Sequence, residues 1–112
     1  MEVKENIEIQ ETVEILKNNF KIKDIILFGS YASNNVNTDS DIDIIVILDD
    51  NTFSDSYDSR LEKRLAVSKK LNGIKSRVQV DSLVFTKPEW EKFISLNSSF
   101  SREIQSTGIS LI

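Results

Sequence analysis

The sequence predicts an α+β domain in which a small β-sheet is flanked by helices. Three strand-like apolar runs carry that reading: residues 25–28, 42–48 and 78–85. Segments with apolar residues at helical spacing lie before, between and after them. A length of 112 residues fits one compact domain, spanning 1–112.

The elements follow in order. Ile9, Val13, Leu16 and Phe20, at steps of four, three and four, form one stripe of an amphipathic helix over residues 5–20. Residues 25–28 are continuously apolar and stop at Gly29, as a buried strand followed by a tight turn would. Residues 33–40 are polar and turn-prone, and a second buried strand, residues 42–48, carries Asp43 near its start. Residues 49–58 are acidic and aperiodic and read as a mobile loop. Leu61, Leu65, Val67 and Leu71 mark a charged helix that Gly73 is expected to end. After the third strand, Thr86 and Glu89 have capping-box spacing, and Trp90, Phe93 and Ile94 share a face of the helix that follows. A last helix over residues 100–107 is expected to stop at Gly108, leaving 109–112 as an edge strand or tail.

Composition excludes several chemistries. The absence of cysteine rules out disulfides, thiolate zinc sites and cysteine nucleophiles. The absence of histidine removes imidazole bases, Ser-His-Asp catalysis and His-based metal sites. Any metal must therefore be held by oxygen, which selects hard cations such as magnesium or manganese. A net charge of -4 disfavours non-specific duplex binding, so nucleic acid is not expected as the direct acceptor. No apolar run approaches a membrane span and no signal-peptide pattern opens the chain, so a cytoplasmic location is expected.

The informative stretch is Leu27-Phe28-Gly29-Ser30-Tyr31-Ala32, followed after a polar loop by Ser40-Asp41-Ile42-Asp43-Ile44. Side chains alternate along a strand, so Asp41 and Asp43 point to the same side. Two ionised carboxylates about 6–7 Å apart repel by roughly 2–3 kcal/mol at an effective dielectric near 20. A divalent cation between them would offset that cost. Asp81 is a charge within the third apolar run and needs a partner or a function. If its strand pairs beside that of Asp43, three carboxylates converge, a set suited to two-metal phosphoryl chemistry. Gly29-Ser30 suits the phosphates: glycine lets backbone amides approach, and the hydroxyl adds a donor. Each signal alone has an ordinary structural explanation; their order and joint spacing reverse the balance.

In this combination the chain resembles the minimal nucleotidyltransferases of the polymerase-beta-like superfamily. Gly29, Ser30, Tyr31 and Ala32 match the family's first motif, and Ser40, Asp41, Ile42 and Asp43 its second, at the usual spacing. Asp81 lies where the third aspartate is expected, and the resemblance runs from about residue 5 to 112. It implies a mixed central sheet flanked by helices. It implies that Asp41, Asp43 and Asp81 hold metal, two magnesium ions, and that Asp81 also helps activate the acceptor hydroxyl. Gly29 and Ser30 would hold the triphosphate of ATP, the expected donor of AMP. The family's Arg-Gly after the alanine is Ser33-Asn34 here. Asparagine tolerates the left-handed turn that glycine would supply, but a fixed positive charge is lost.

Other Asp-x-Asp readings fit less well. An EF-hand starting at Asp39 would need glycine where Ile44 stands and glutamate where Asp50 stands. In haloacid-dehalogenase-type phosphatases the motif follows an apolar strand, whereas here it enters one. Glycosyltransferases are normally much longer. Tyr31 and Trp90 read as packing residues rather than base platforms, Lys63-Arg64 and Lys69-Lys70 as the wet face of a helix, and Asp49, Asp50, Asp55 and Asp58 as solvated.

The acceptor site is expected to be completed by a partner or a second copy. The resemblance points to an antitoxin that adenylylates a tyrosine of a helical HEPN-type toxin. A homodimeric small-molecule adenylyltransferase, or a module that neutralises a partner by contact alone, are the alternatives.

Overall fold

The computed structural model describes residues 6–33, 41–53 and 56–112. In chain order these form α1 (Ile7–Asn19), β1 (Ile22–Phe28), α2 (Ser30–Ser33), β2 (Ile42–Leu48), α3 (Tyr57–Lys70) and α4 (Asn72–Lys75). Then come β3 (Val80–Thr86), α5 (Lys87–Ser95), α6 (Ser99–Thr107) and β4 (Ile109–Ser110).

The strands lie in the order β3-β2-β1-β4. β1 runs antiparallel to β2 and β4, and β2 runs parallel to β3, so the sheet is mixed. Helices cover both faces. On one, Ile25, Leu27, Ile42, Ile44 and Val46 meet Ile9 and Leu16 of α1, Val67 of α3, and Leu71 and Ile74 around α4. On the other, Ile45 and Ile47 pack with Ile26, Phe28, Leu83 and Phe85 under Trp90 of α5 and Ile104 of α6. β2 is buried on both faces from Ile44 to Ile47, which is why its sequence runs apolar without alternating.

Local chemistry sets the helix starts. The Asn6 side chain accepts from the Ile9 amide at 2.9 Å and opens α1. Ser98 does the same for α6, accepting from the Ser101 amide at 3.1 Å. At α5, Pro88 stands in the first turn and the buried Glu89 carboxylate accepts from the Thr86 amide at 2.9 Å, the reach-back half of the capping box, while the buried Thr86 hydroxyl makes no hydrogen bond among the described residues.

Besides β3, which spans Val80–Thr86 rather than 78–85, three boundaries depart from the sequence reading. β1 begins at Ile22 rather than Ile25, because pairing with Leu48 extends the ladder across an irregularity between Ile22 and Asp24. α3 begins at Tyr57, inside the stretch read as loop, where the Ser56 hydroxyl accepts from the Ser59 amide at 3.2 Å. Gly73 does not end α3: the break falls at Leu71, and Gly73 sits within α4. Leu71 and Ile74 are both fully buried, so a break between two short helices is compatible with both reaching the core.

Gly108 does end α6, but not as a left-handed cap, since its φ is -65° and its ψ 147°. A Cβ there would stand 2.5 Å from the Ile104 carbonyl oxygen and 2.8 Å from Ile26 Cγ2. The missing side chain lets the chain turn straight from α6 into the edge strand β4.

Candidate active site

β1 delivers the chain to Gly29, whose φ of +72° lies in the left-handed region. A side chain there would be strained, by about 1–2 kcal/mol for an ordinary residue. A second constraint is steric: a Cβ on Gly29 would stand 2.5 Å from Asp43 Oδ2. The Gly29 carbonyl accepts from the Ser33 amide at 3.1 Å and closes the short turn α2. The leading amides of a helical turn have no partner within it, which suits them to an anion. Ser33, where the family carries arginine, donates its hydroxyl to the Ser30 carbonyl at 3.3 Å. Asn34 and Ser40 lie outside the described residues.

β2 and β3 supply the carboxylates. Asp43 stands opposite Phe28 in the antiparallel ladder and beside Asp81 in the parallel one. Asp41, two residues before Asp43, precedes the strand and is half-buried like it, while Asp81 is exposed. The conditional step in the sequence argument, that β3 should lie beside the Asp43 strand, is therefore met. Burial pushes the Asp43 carboxyl above its ordinary pKa, and the charges of Asp81 and Asp41 push it further the same way. A group held between two like charges is where a cation is most favourable.

Among the described residues, no three acidic side chains are gathered tightly enough to enclose a metal ion by themselves. Gln79 Nε2 donates to Asp81 Oδ1 at 3.4 Å. Gln79 was not singled out from the sequence, although its position two residues before Asp81 on an extended segment places both on one side. The donors are all oxygen and their repulsion centres on Asp43, so the set fits a hard divalent cation.

Of the remaining candidates, Asp55 lies outside the described residues. Tyr31 packs against the α1 side of the core and Trp90 against the other. Arg64, Lys69 and Lys70 are exposed on α3. Asp49 and Asp50, read as solvated, do face solvent and are also partnered. Asp49 pairs with Lys87 Nζ at 2.8 Å, and Asp50 Oδ1 accepts from both the amide and the hydroxyl of Thr52 at 2.7 Å. These contacts lower the pKa of both carboxyls and tie the segment after β2 to the start of α5.

The family model for polymerase beta nucleotidyltransferases matches residues 10–112. The chain belongs to that family. This nucleotidyltransferase is similar to one sequence relative over part of its length and to several solved structures in fold. Over 49 residues it is 47% identical to MJ1379 of Methanocaldococcus jannaschii, a provisionally named protein adenylyltransferase. That match takes in 44% of this chain and 48% of MJ1379, about half the length of the relative. The fold is shared with a chain of a toxin–antitoxin complex solved with AMP-PNP, at a TM-score of 0.58 and 23% identity, over 96% of this chain and 73% of that one. A mutant MntA–HpeT toxin–antitoxin complex gives 0.53 and 21%, over 92% and 70%.

Proposed function

We propose that this nucleotidyltransferase is an antitoxin that transfers AMP from ATP to a tyrosine hydroxyl of a helical, HEPN-type toxin. The observation that carries the reading is that Asp43 stands over the Gly29 turn and beside Asp81 at one end of the sheet. Support for a protein acceptor comes from MJ1379, and support for the toxin pairing from the toxin–antitoxin complexes that share the fold.

Gly29 and Ser30 receive the triphosphate, because the turn offers backbone amides and a hydroxyl and Gly29 adds no side chain of its own. Asp41, Asp43 and Asp81 hold magnesium, two ions in this reading, which when bound neutralises charge on the phosphates. Asp81, the most exposed of the three, accepts the proton of the acceptor hydroxyl. The acceptor oxygen bonds to the α-phosphorus, the bond to the bridging oxygen breaks, and pyrophosphate leaves. Among the described residues no helix is long and apolar enough to cross a membrane, and we place the reaction in the cytoplasm, with its ATP.

The test is label transfer to a co-expressed HEPN-type partner. Label from α-³²P-ATP, but not from γ-³²P-ATP, should appear on partner tyrosine with wild type and vanish with Asp43→Asn. A partner neutralised without any label, by wild type and variant alike, would show an antitoxin acting by contact alone.

A further inference from the structure

The sheet face that carries Asp43 and Asp81 also carries a run of aromatic rings. Phe85 stacks on Phe93 with centroids 5.3 Å apart and planes 20° apart, and Trp90 contacts both at 5.6 and 5.4 Å. Phe93 leads to Phe100 at 5.7 Å, and Phe100 to Phe28 at 5.6 Å. Phe28 is the residue before Gly29 and stands opposite Asp43 in the ladder. Paired residues of an antiparallel ladder are about 4.5–5.5 Å apart at Cα, so Phe100 is one ring removed from the carboxylates.

Phe100 differs from the other rings in this run. It remains 37% exposed, and the two rings that touch it do so at 73° and 58°, so neither lies flat against it. It is held in place nevertheless. The Ser98 cap fixes the first turn of α6, and the fully buried Ser101 and nearly buried Ile104 anchor the helix on the sheet. A fixed ring, partly open to solvent and packed on Phe28, the residue before Gly29, is a platform for a nucleobase.

Resting on the nucleotide reading above, we infer that Phe100 stacks on the base of the bound nucleoside triphosphate, with Phe28 and Phe93 holding its ring in place. Stacking accepts any base, since each presents a π-face, so Phe100 contributes affinity for a nucleoside without choosing adenine. It acts on the nucleoside half of the ligand, and Gly29 and Ser30 act on the phosphate half.

The experiment compares magnesium-dependent binding of ATP, GTP and inorganic tripolyphosphate by calorimetry to wild type, Phe100→Leu and Phe100→Trp. Leucine keeps apolar bulk on the sheet and removes the flat face; thermal unfolding followed by circular dichroism confirms that each variant is folded. Phe100→Leu should weaken ATP and GTP together by about tenfold, within the range of single-base stacking, and leave tripolyphosphate unchanged. Phe100→Trp should restore both nucleotides, with its fluorescence quenched on addition. Unchanged ATP affinity in a folded Phe100→Leu, with wild type binding normally, overturns the stacking role and leaves the nucleotide site standing. Failure of wild type to bind either ATP or tripolyphosphate overturns both.

Discussion

The carboxylate of Asp43 lies directly over Gly29, so close that a single added carbon on the glycine would meet Oδ2 at 2.5 Å. The turn proposed for phosphate and the carboxylate proposed for metal are therefore built against one another. Gly29→Ala should lose nucleotide binding and also unfold more readily. The left-handed backbone alone accounts for about 1–2 kcal/mol, and displacement of Asp43 adds to it. Urea midpoints and calorimetry with magnesium and ATP check both halves; an alanine protein that binds ATP normally would sink the arrangement.

The pH dependence of Asp43 has a definite sign. Its folded-state pKa lies above the ordinary 3.8, for burial first and then Asp81 and Asp41. Below 3.8 both the folded and unfolded forms are protonated, and the contribution of Asp43 is fully present. It is lost as pH rises through the raised value, when ionisation sets like charges together. In chelator-containing buffer, stability of wild type relative to Asp43→Asn should therefore fall as pH climbs above 3.8. Magnesium should reverse that fall in wild type alone, read as a rise in Tm at neutral pH.

Asp81, proposed above to accept the proton of the acceptor, is exposed and stands in register with Asp43. With the partner present, Asp81→Asn should lower the rate of AMP transfer by about 100-fold or more, as expected when a positioned proton acceptor is removed. ATP affinity should change far less. An asparagine variant that turns over at the wild-type rate would falsify the assignment.

Glu89 and Arg60 form an unequal pair at 3.8 Å, the carboxylate buried and the guanidinium largely exposed. One Glu89 oxygen also accepts from the Thr86 amide, so Glu89→Ala strips a helix start of its partner and should cost about 1–3 kcal/mol. Arg60→Ala, on the exposed side, should cost under about 1 kcal/mol. Denaturant midpoints of the two variants give the comparison, and equal losses would contradict it.

Gly108 has no room for a methyl between the Ile104 carbonyl and Ile26. Gly108→Ala should destabilise by about 1–3 kcal/mol through overpacking. Because α6 also carries Phe100, nucleotide affinity should weaken alongside; a melting temperature equal to wild type would refute the packing argument.

Legibility followed the range of the interaction. The Asp41-Ile42-Asp43 spacing needed only the two-residue period of a strand, and the Thr86–Glu89 start of α5 needed only three residues of chain. The start of α3 at Tyr57 was missed because a serine cap within an acidic stretch is outweighed locally by the absence of apolar period. Gly73 misled because the stop of α3 is associated with the burial of Leu71 and Ile74 against the sheet, which no local propensity encodes.

By itself the sequence determined that Gly29 must end a buried strand, that oxygen donors alone are available, and that Asp41 and Asp43 lie two residues apart at the start of a strand. These rest on backbone sterics, residue chemistry and strand periodicity, all short-range. Only the tertiary structure set Asp81 beside Asp43, laid Asp43 over Gly29 and brought Phe100 of α6 to Phe28 of β1. Those pairings join residues from separate elements, and they are fixed by sheet register and by burial of apolar faces from the whole chain at once.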